Sequence, residues 1–223
     1  MFIMSTLSMT QGAKELMTHD TRVSYHNDEK KCNIYKNIKV SVIIVNYNTT
    51  DLLIDCLDSI YHKTKDINFE IIVVDNASDV SPQEIINDKF KEVTFIQNEI
   101  NLGFTKANNR AIARSTAKYC FLLNPDTQLV NNAIKIFHDF MQMPENKNIA
   151  CCGGSIYDQF MTPRVAYGHF PTIMQVMYEL GLKHIFQIHF KKNISLTCVN
   201  EGMSIKEVVY ITGAGILLRK SAL

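Results

Sequence analysis

From Lys39 onward the chain alternates short β-branched runs with amphipathic stretches, a pattern that few folds tolerate. Val40-Ser41-Val42-Ile43-Ile44-Val45 is almost wholly apolar, as a strand covered on both faces must be. It runs into Asn46-Tyr47-Asn48-Thr49-Thr50, a loop leading to a helix cap. Asp51–His62 then places Leu52, Leu53, Cys56, Leu57 and Ile60 on one helical face. A second strand covers Phe69–Val74 and is closed by Asp75-Asn76-Ala77-Ser78. Ser81, Pro82 and Glu84 have the spacing of a capping box for the next helix. A third strand at Val93–Gln97, a helix at Phe104–Ala117, a fourth strand at Lys118–Leu123, a helix at Gln128–Met143 and a fifth strand at Ile149–Tyr157 continue the series. Such units build βαβ crossovers, so the predicted class is α/β: a mostly parallel open sheet with helices on both faces.

The flanks read differently. Residues 1–37 form a polar leader without sustained periodicity, loosely ordered, with a short helix around Gln11–Thr18. After Asp158 the alternation stops: a Met- and aromatic-rich helix is predicted from Pro171 to about His189, and strand character returns at Val208–Thr212. Lys plus Arg number 23 against 22 Asp plus Glu, a net charge of +1, which argues against a whole-surface basic field; no nucleic-acid partner is expected. The six cysteines form no CxxC pair and no Cys/His ligand spacing, and read as reduced, buried thiols of a cytoplasmic protein. No apolar run approaches the ~20 residues that span a bilayer.

In an open α/β sheet, ligands bind beyond the carboxyl ends of the strands, where strand order reverses. If the first three strands run outward as 3-2-1 and the fourth pairs on the other side of the first, the crevice lies between strands one and four. Asn46, Tyr47 and Asn48 leave strand one, Asp75 leaves strand two, and Asn124-Pro125-Asp126-Thr127 leaves strand four. Asp126, on a Pro-stiffened turn, has two readings: ligand to a hard divalent cation beside a diphosphate, or cap of the helix from Gln128. Asp75 and Asn76, taken alone, read as ordinary turn residues. Asn101-Leu102-Gly103-Phe104 opens a helix carrying Lys106, Asn108, Asn109 and Arg110, where a glycine lets backbone approach a phosphate; alone it reads as a glycine entry turn. Neither GxGxxG nor GxxxxGK[ST] is present.

The phrases Val42-Ile43-Ile44-Val45-Asn46-Tyr47-Asn48, Val73-Val74-Asp75-Asn76-Ala77-Ser78, Asn101-Leu102-Gly103-Phe104 with Asn108-Asn109, and Leu122-Leu123-Asn124-Pro125-Asp126-Thr127 together resemble family 2 glycosyltransferases of the GT-A (Rossmann-like) fold, especially a rhamnosyltransferase-like branch. Ile211-Thr212-Gly213-Ala214 is similar to the strand before the acceptor side. The resemblance implies a donor-binding region over 38–158 and a partial acceptor-side region over 159–223. It implies a nucleoside-diphosphate sugar as donor, with deoxythymidine-diphosphate rhamnose suggested by the branch. Tyr47 would lie against the base and Asp75 would bond its imide edge or the ribose. Asn46, Asn101, Gly103, Asn108, Asn109 and Asn124 would complete the substrate site. Asp126 would hold Mg²⁺ or Mn²⁺ against the diphosphate.

Two departures shape the expectation. Asn124 stands where the broader family often has Asp, and one fewer carboxylate removes about 4 kcal/mol of Coulomb attraction at ~4 Å and an effective dielectric of ~20. Metal binding is therefore expected to depend on the nucleotide's own phosphates. The family's acidic catalytic base belongs to a segment after the Gly-Ala strand, yet nothing acidic follows Glu207, and Glu179, Glu201 and Glu207 lie in no matching context. The catalytic residue is thus unassigned, and the chain reads as a truncated donor half.

The segment Phe160–Lys192 mixes aromatic, Met and basic residues. It suits contact with anionic lipid near a lipid-linked or polysaccharide acceptor, at the inner face of the membrane, and equally suits packing under a loop or in a homo-oligomer. A non-catalytic nucleotide-sugar-binding module is the alternative function. A nucleotidyltransferase fits poorly, because Asn46–Asp51 contains no Gly, Lys or Arg.

Overall fold

The computed structural model describes residues 2–5, 37–168, 197–199, 205–208 and 210–223. In chain order the strands are β1 (Phe2–Ser5), β2 (Val40–Asn46), β3 (Phe69–Asp75), β4 (Val93–Gln97), β5 (Tyr119–Leu123), β6 (Thr127–Leu129), β7 (Cys151–Gly153), β8 (Ser155–Tyr157), β9 (Pro163–Gly168), β10 (Thr197–Val199), β11 (Tyr210–Ile211) and β12 (Gly215–Arg219). The helices are α1 (Thr50–Lys63), α2 (Gln83–Lys89), α3 (Phe104–Arg114) and α4 (Ala133–Gln142).

The main sheet has the order β4-β3-β2-β5-β12-β7. Its first four strands are parallel, and β12 runs antiparallel to both β5 and β7. The 3-2-1-4 arrangement expected from the sequence is present. Val42, Ile44, Ile71 and Val73 face one side, where they pack against Leu53, Cys56, Leu57 and Ile60 of α1, Ile86 of α2 and Phe137 of α4. Ile43, Ile72 and Val74 face the other side and meet Ala107 and Ala111 of α3. Every residue of β2 except Val45 is buried, which is why the strand carries β-branched residues on both faces. A second sheet, β10-β9-β8-β1-β6, with β11 also on β9, stands beside the first.

Tertiary pairing moves several predicted boundaries. The fifth strand divides: β7 joins the main sheet and β8 the second, parting around Gly153-Gly154. A Cβ on Gly153 would sit 2.6 Å from Ile211 Cγ2 and 3.1 Å from the Gly215 carbonyl, so only glycine fits that passage. The helix expected from Gln128 begins at Ala133, because Thr127–Leu129 instead pairs with β1 as a strand. Asp126 is therefore not its cap; Asn132 holds that position and makes no side-chain capping bond. The helix expected to reach Ala117 stops at Arg114, as Ser115 turns extended (φ −64°, ψ 140°) and its hydroxyl donates to the Ile112 carbonyl. At the start of α2, Ser81 Oγ accepts from the Gln83 N–H at 3.4 Å, and its hydroxyl donates to Gln97 Oε1 at 2.6 Å. Within the leader, Phe2–Ser5, three of whose four residues are apolar, forms an unexpected strand. The helices expected at Gln11–Thr18 and Pro171–His189 lie outside the described residues. Cys56, Cys120 and Cys152 are buried as expected, whereas Cys151 is exposed.

Arg219 fastens the last strand to the body. Its guanidinium donates to the carbonyls of Ile149, Met141 and Asn146 and to Tyr119 Oη, and lies 5.3 Å from the Tyr119 ring centre. Two of those carbonyls belong to the end of α4 and the turn after it, where a cation also suits the helix dipole. Arg219→Met is expected to lower stability by about 2–3 kcal/mol, since charged hydrogen bonds are lost and carbonyls left unpaired. Urea unfolding of the variant measures this directly.

Candidate functional site

In-register pairing puts Asn46 opposite Asp75, and Asp75 opposite Gln97, at the carboxyl ends of three adjacent parallel strands. Side chains at one register position share a face, so the three polar groups touch. Asn46 Nδ2 donates to Asp75 Oδ1 at 2.7 Å and Gln97 Nε2 donates to Asp75 Oδ2 at 2.7 Å. Ser78 adds its hydroxyl to Oδ1 at 2.6 Å and its backbone N–H to Oδ2 at 3.0 Å. Asp75 is completely buried, and each oxygen accepts two bonds. Burial alone would push its carboxyl up; the bonds from Ser78, Asn46 and Gln97 more than offset that and hold it below the ordinary value. The Ser78 hydroxyl also accepts from the Asn48 N–H, and Asn48 exchanges bonds with Asp79, which ties the loops after β2 and β3 together.

Beside this row, at the switch point between β2 and β5, lies a crevice of about 500 Å³. Its lining includes Tyr47, Asn101, Gly103, Phe104, Asn124 and Asp126. Asn124-Pro125-Asp126-Thr127 is a β-turn closed by the Thr127 N–H on the Asn124 carbonyl at 3.1 Å. β12 braces it through the Ala214 carbonyl, which accepts from the Asn124 N–H at 3.2 Å and the Thr127 hydroxyl at 3.4 Å. From below, the Cys56 thiol donates to the Asn124 carbonyl at 3.7 Å. Burial pushes that thiol far up, and the Asp126 charge adds to it. One oxygen of Asp126, Oδ1, is buried without a hydrogen-bond partner. Buried polar atoms are normally paired, so this oxygen has capacity left to accept from a cation or a donor.

The opposite wall is Asn101–Gly103. Gly103 has φ 76° and ψ 164°, a conformation essentially restricted to glycine, and the space over its Cα is open. Gly103→Ala is expected to destabilise by about 1–3 kcal/mol and to weaken any ligand lying on this wall; thermal melting and ligand titration of the variant check the two effects.

Of the residues singled out from the sequence, the crevice gathers Tyr47, Asn101, Gly103, Asn124 and Asp126. Asn46 and Asp75 lie beneath its rim, both fully buried. Asn108 is buried on α3 with its amide on the Phe104 carbonyl at 2.9 Å, and Asn109 is exposed outside the lining. Gln97 and Asn98 were not foreseen; the available signal was a polar pair at the carboxyl end of β4, the edge strand next to β3. A larger cavity of about 750 Å³ opens along β7, lined largely by apolar side chains with Lys206 and Glu207, and contains none of the residues just named.

The chain matches the sequence profile described as Glycosyl transferase family 2 over residues 41–210. The chain belongs to this family. A poly(ribitol-phosphate) beta-glucosyltransferase of Bacillus spizizenii is 32% identical over 108 residues, covering 46% of this chain and 17% of that protein. An uncharacterized glycosyltransferase of Methanocaldococcus jannaschii is 34% identical over 115 residues, covering 49% and 39%. The crystal structure of S. aureus TarS 1–349 superposes with a TM-score of 0.42 at 24% identity, covering 47% of this chain and 32% of that one. The chain thus spans well under half the length of these relatives. The family 2 phrases fall on the loops that build the crevice and on the rim beneath it.

Proposed function

We propose that this chain binds a nucleoside-diphosphate sugar for transfer to a cell-surface polymer or lipid-linked saccharide, in an inverting, metal-assisted reaction. The observation that carries this is the unpartnered buried oxygen of Asp126 on the family 2 turn at the switch point. A divalent cation, Mg²⁺ or Mn²⁺, fits there. Among the described residues no cluster of three or more His, Cys, Asp or Glu forms a metal cage, so Asp126 would hold the ion together with phosphate oxygens. When bound, such an ion offsets negative charge on the departing diphosphate.

The chain's own groups do the rest. Tyr47, 47% exposed, offers a flat face for a base. The open side of Gly103 lets the diphosphate or sugar approach the backbone, and the Asn124 amide borders the same space. Asp75, saturated by four donors, acts through Asn46 and Ser78 rather than on the base. The poly(ribitol-phosphate) glucosyltransferase relative supports a cell-wall polymer as acceptor, and the motif phrases support a rhamnosyl donor. Among the described residues no helix is long and apolar enough to cross a membrane; a cytoplasmic site of action, peripheral to the membrane, is part of the proposal.

Calorimetric titration with deoxythymidine diphosphate and uridine diphosphate, each with and without Mn²⁺, tests it. Mn²⁺-dependent binding of either nucleotide is expected. Absence of binding by folded protein overturns the reading, and sugar transfer by the chain itself excludes the non-catalytic module.

A further inference from the structure

We infer that Arg110, Asn98 and Asn76 form a one-way hydrogen-bond relay that fixes which end of the Asn101 amide faces the crevice. This deepens the donor-site reading and rests on it. The chain of contacts is continuous. The Arg110 guanidinium donates to Asn98 Oδ1. Asn98 Nδ2 donates to Asn76 Oδ1 at 2.9 Å, and Asn76 Nδ2 donates to Asn101 Oδ1 at 2.7 Å. Asn76 and Asn98 are only 3% and 2% exposed, so the middle of the relay is shielded from water, while Arg110 and Asn101 at its ends are exposed.

The direction follows from chemistry. Arginine is a donor only, so the group it meets on Asn98 must be the carbonyl oxygen. That leaves the Asn98 NH₂ to face Asn76, which must then answer with its oxygen and pass its own NH₂ to Asn101. Two backbone donors lock the same polarity: the Leu102 N–H donates to Asn76 Oδ1 at 3.0 Å and the Gly103 N–H to Asn101 Oδ1 at 2.9 Å. A glycine turn before a helix would ordinarily offer such N–H groups to a phosphate; here both are consumed inside the wall. What the exposed Asn101 side chain has left to present is its Nδ2, a donor. This wall therefore recognises an acceptor, the phosphate oxygen or a sugar oxygen of a nucleoside-diphosphate sugar. Arg110, nearly two turns into α3, supplies the donor that starts the relay without lining the crevice. It is a positioning residue, as are Asn76 and Asn98.

The test compares Arg110→Met, Arg110→Lys and Asn98→Asp with the unaltered chain, using uridine and deoxythymidine diphosphate with Mn²⁺ and following Asn side-chain amides by NMR. Asn98→Asp, which sets a carboxylate oxygen against Asn76 Oδ1, is expected to weaken nucleotide binding by about tenfold, as for loss of one hydrogen bond to a charged acceptor, and Arg110→Met by about threefold, because the Leu102 and Gly103 N–H groups still hold Asn76 and Asn101. Arg110→Lys restores a donor and recovers most of the affinity, which a purely structural role of the guanidinium would not predict. The Asn101 Nδ2 signals shift on nucleotide addition only where the relay is intact. Wild-type-like binding by Arg110→Met, with the Asn101 signals unmoved by nucleotide in the unaltered chain, overturns the inference. If the unaltered chain binds no nucleotide, the donor reading fails, while the relay is still judged by the free protein: its Asn76, Asn98 and Asn101 amide signals must change together in Arg110→Met, and unchanged signals overturn it.

Discussion

Replacing Asp126 with alanine is expected to abolish Mn²⁺-dependent nucleotide binding, a loss of at least about 100-fold in affinity, and at the same time to raise the stability of the ligand-free protein. Both follow from the same atom. Oδ1 is buried without a hydrogen bond, and an unpaired buried polar atom costs about 1–3 kcal/mol, more when it carries charge. Removing the carboxylate relieves that cost. Cation binding loses the one carboxylate among the described residues lining the crevice and with it several kcal/mol of charge stabilisation. A calorimetric titration paired with a thermal melt reads the two opposite signs. Unchanged nucleotide affinity in the variant would show that Asp126 does not hold the ion, and a lower melting temperature would show that Oδ1 is satisfied in the free protein. Asp126→Asn keeps the shape and separates charge from packing: the affinity loss persists if charge is what the site supplies.

Asp75→Ala is expected to cost about 2–4 kcal/mol, because it strands the buried Asn46 amide and removes the shared partner of the half-buried Ser78 and the exposed Gln97. Asp75→Asn should cost less, since one oxygen survives, yet its NH₂ would face a donor. The pH dependence has a definite sign. The folded protein holds this carboxyl below its ordinary value, so the unfolded chain binds its proton more readily. The stabilisation is therefore complete above the ordinary carboxylate value of about 3.9 and is lost as pH falls through the lower folded value. Urea midpoints measured from neutral pH into the acid range should fall on that acid limb in the natural chain and lose Asp75's share of the fall in Asp75→Asn. An Asp75→Ala protein of natural stability that merely binds nucleotide less well would instead place the carboxylate in direct contact with the base.

Asn108 and Asp75 show why motif position and site position differ. Both stand in family 2 phrases. Yet α3 turns Asn108 back onto its own Phe104 carbonyl, and strand register encloses Asp75 among three polar neighbours. Motif spacing locates a residue along the chain to within a turn, whereas exposure depends on which neighbours arrive from other segments. Gln97 and Asn98 show the reverse: unremarkable at the end of a short strand, they become important only because β4 lies next to β3.

The sequence by itself determined the α/β class and the polar loops that follow the strands, because those rest on local periodicity and on β-branched runs that must be covered on both faces; the 3-2-1-4 order, a condition in the sequence reading, is met by the structure. Only the tertiary structure decided that Asp126 keeps a buried oxygen free, that Asp75 is saturated and that Asn101 turns its donor outward. The last two depend in part on hydrogen bonds between residues 22 or more positions apart, joined by local ones from Ser78 and Gly103, and no local pattern encodes which distant donor a given oxygen will meet.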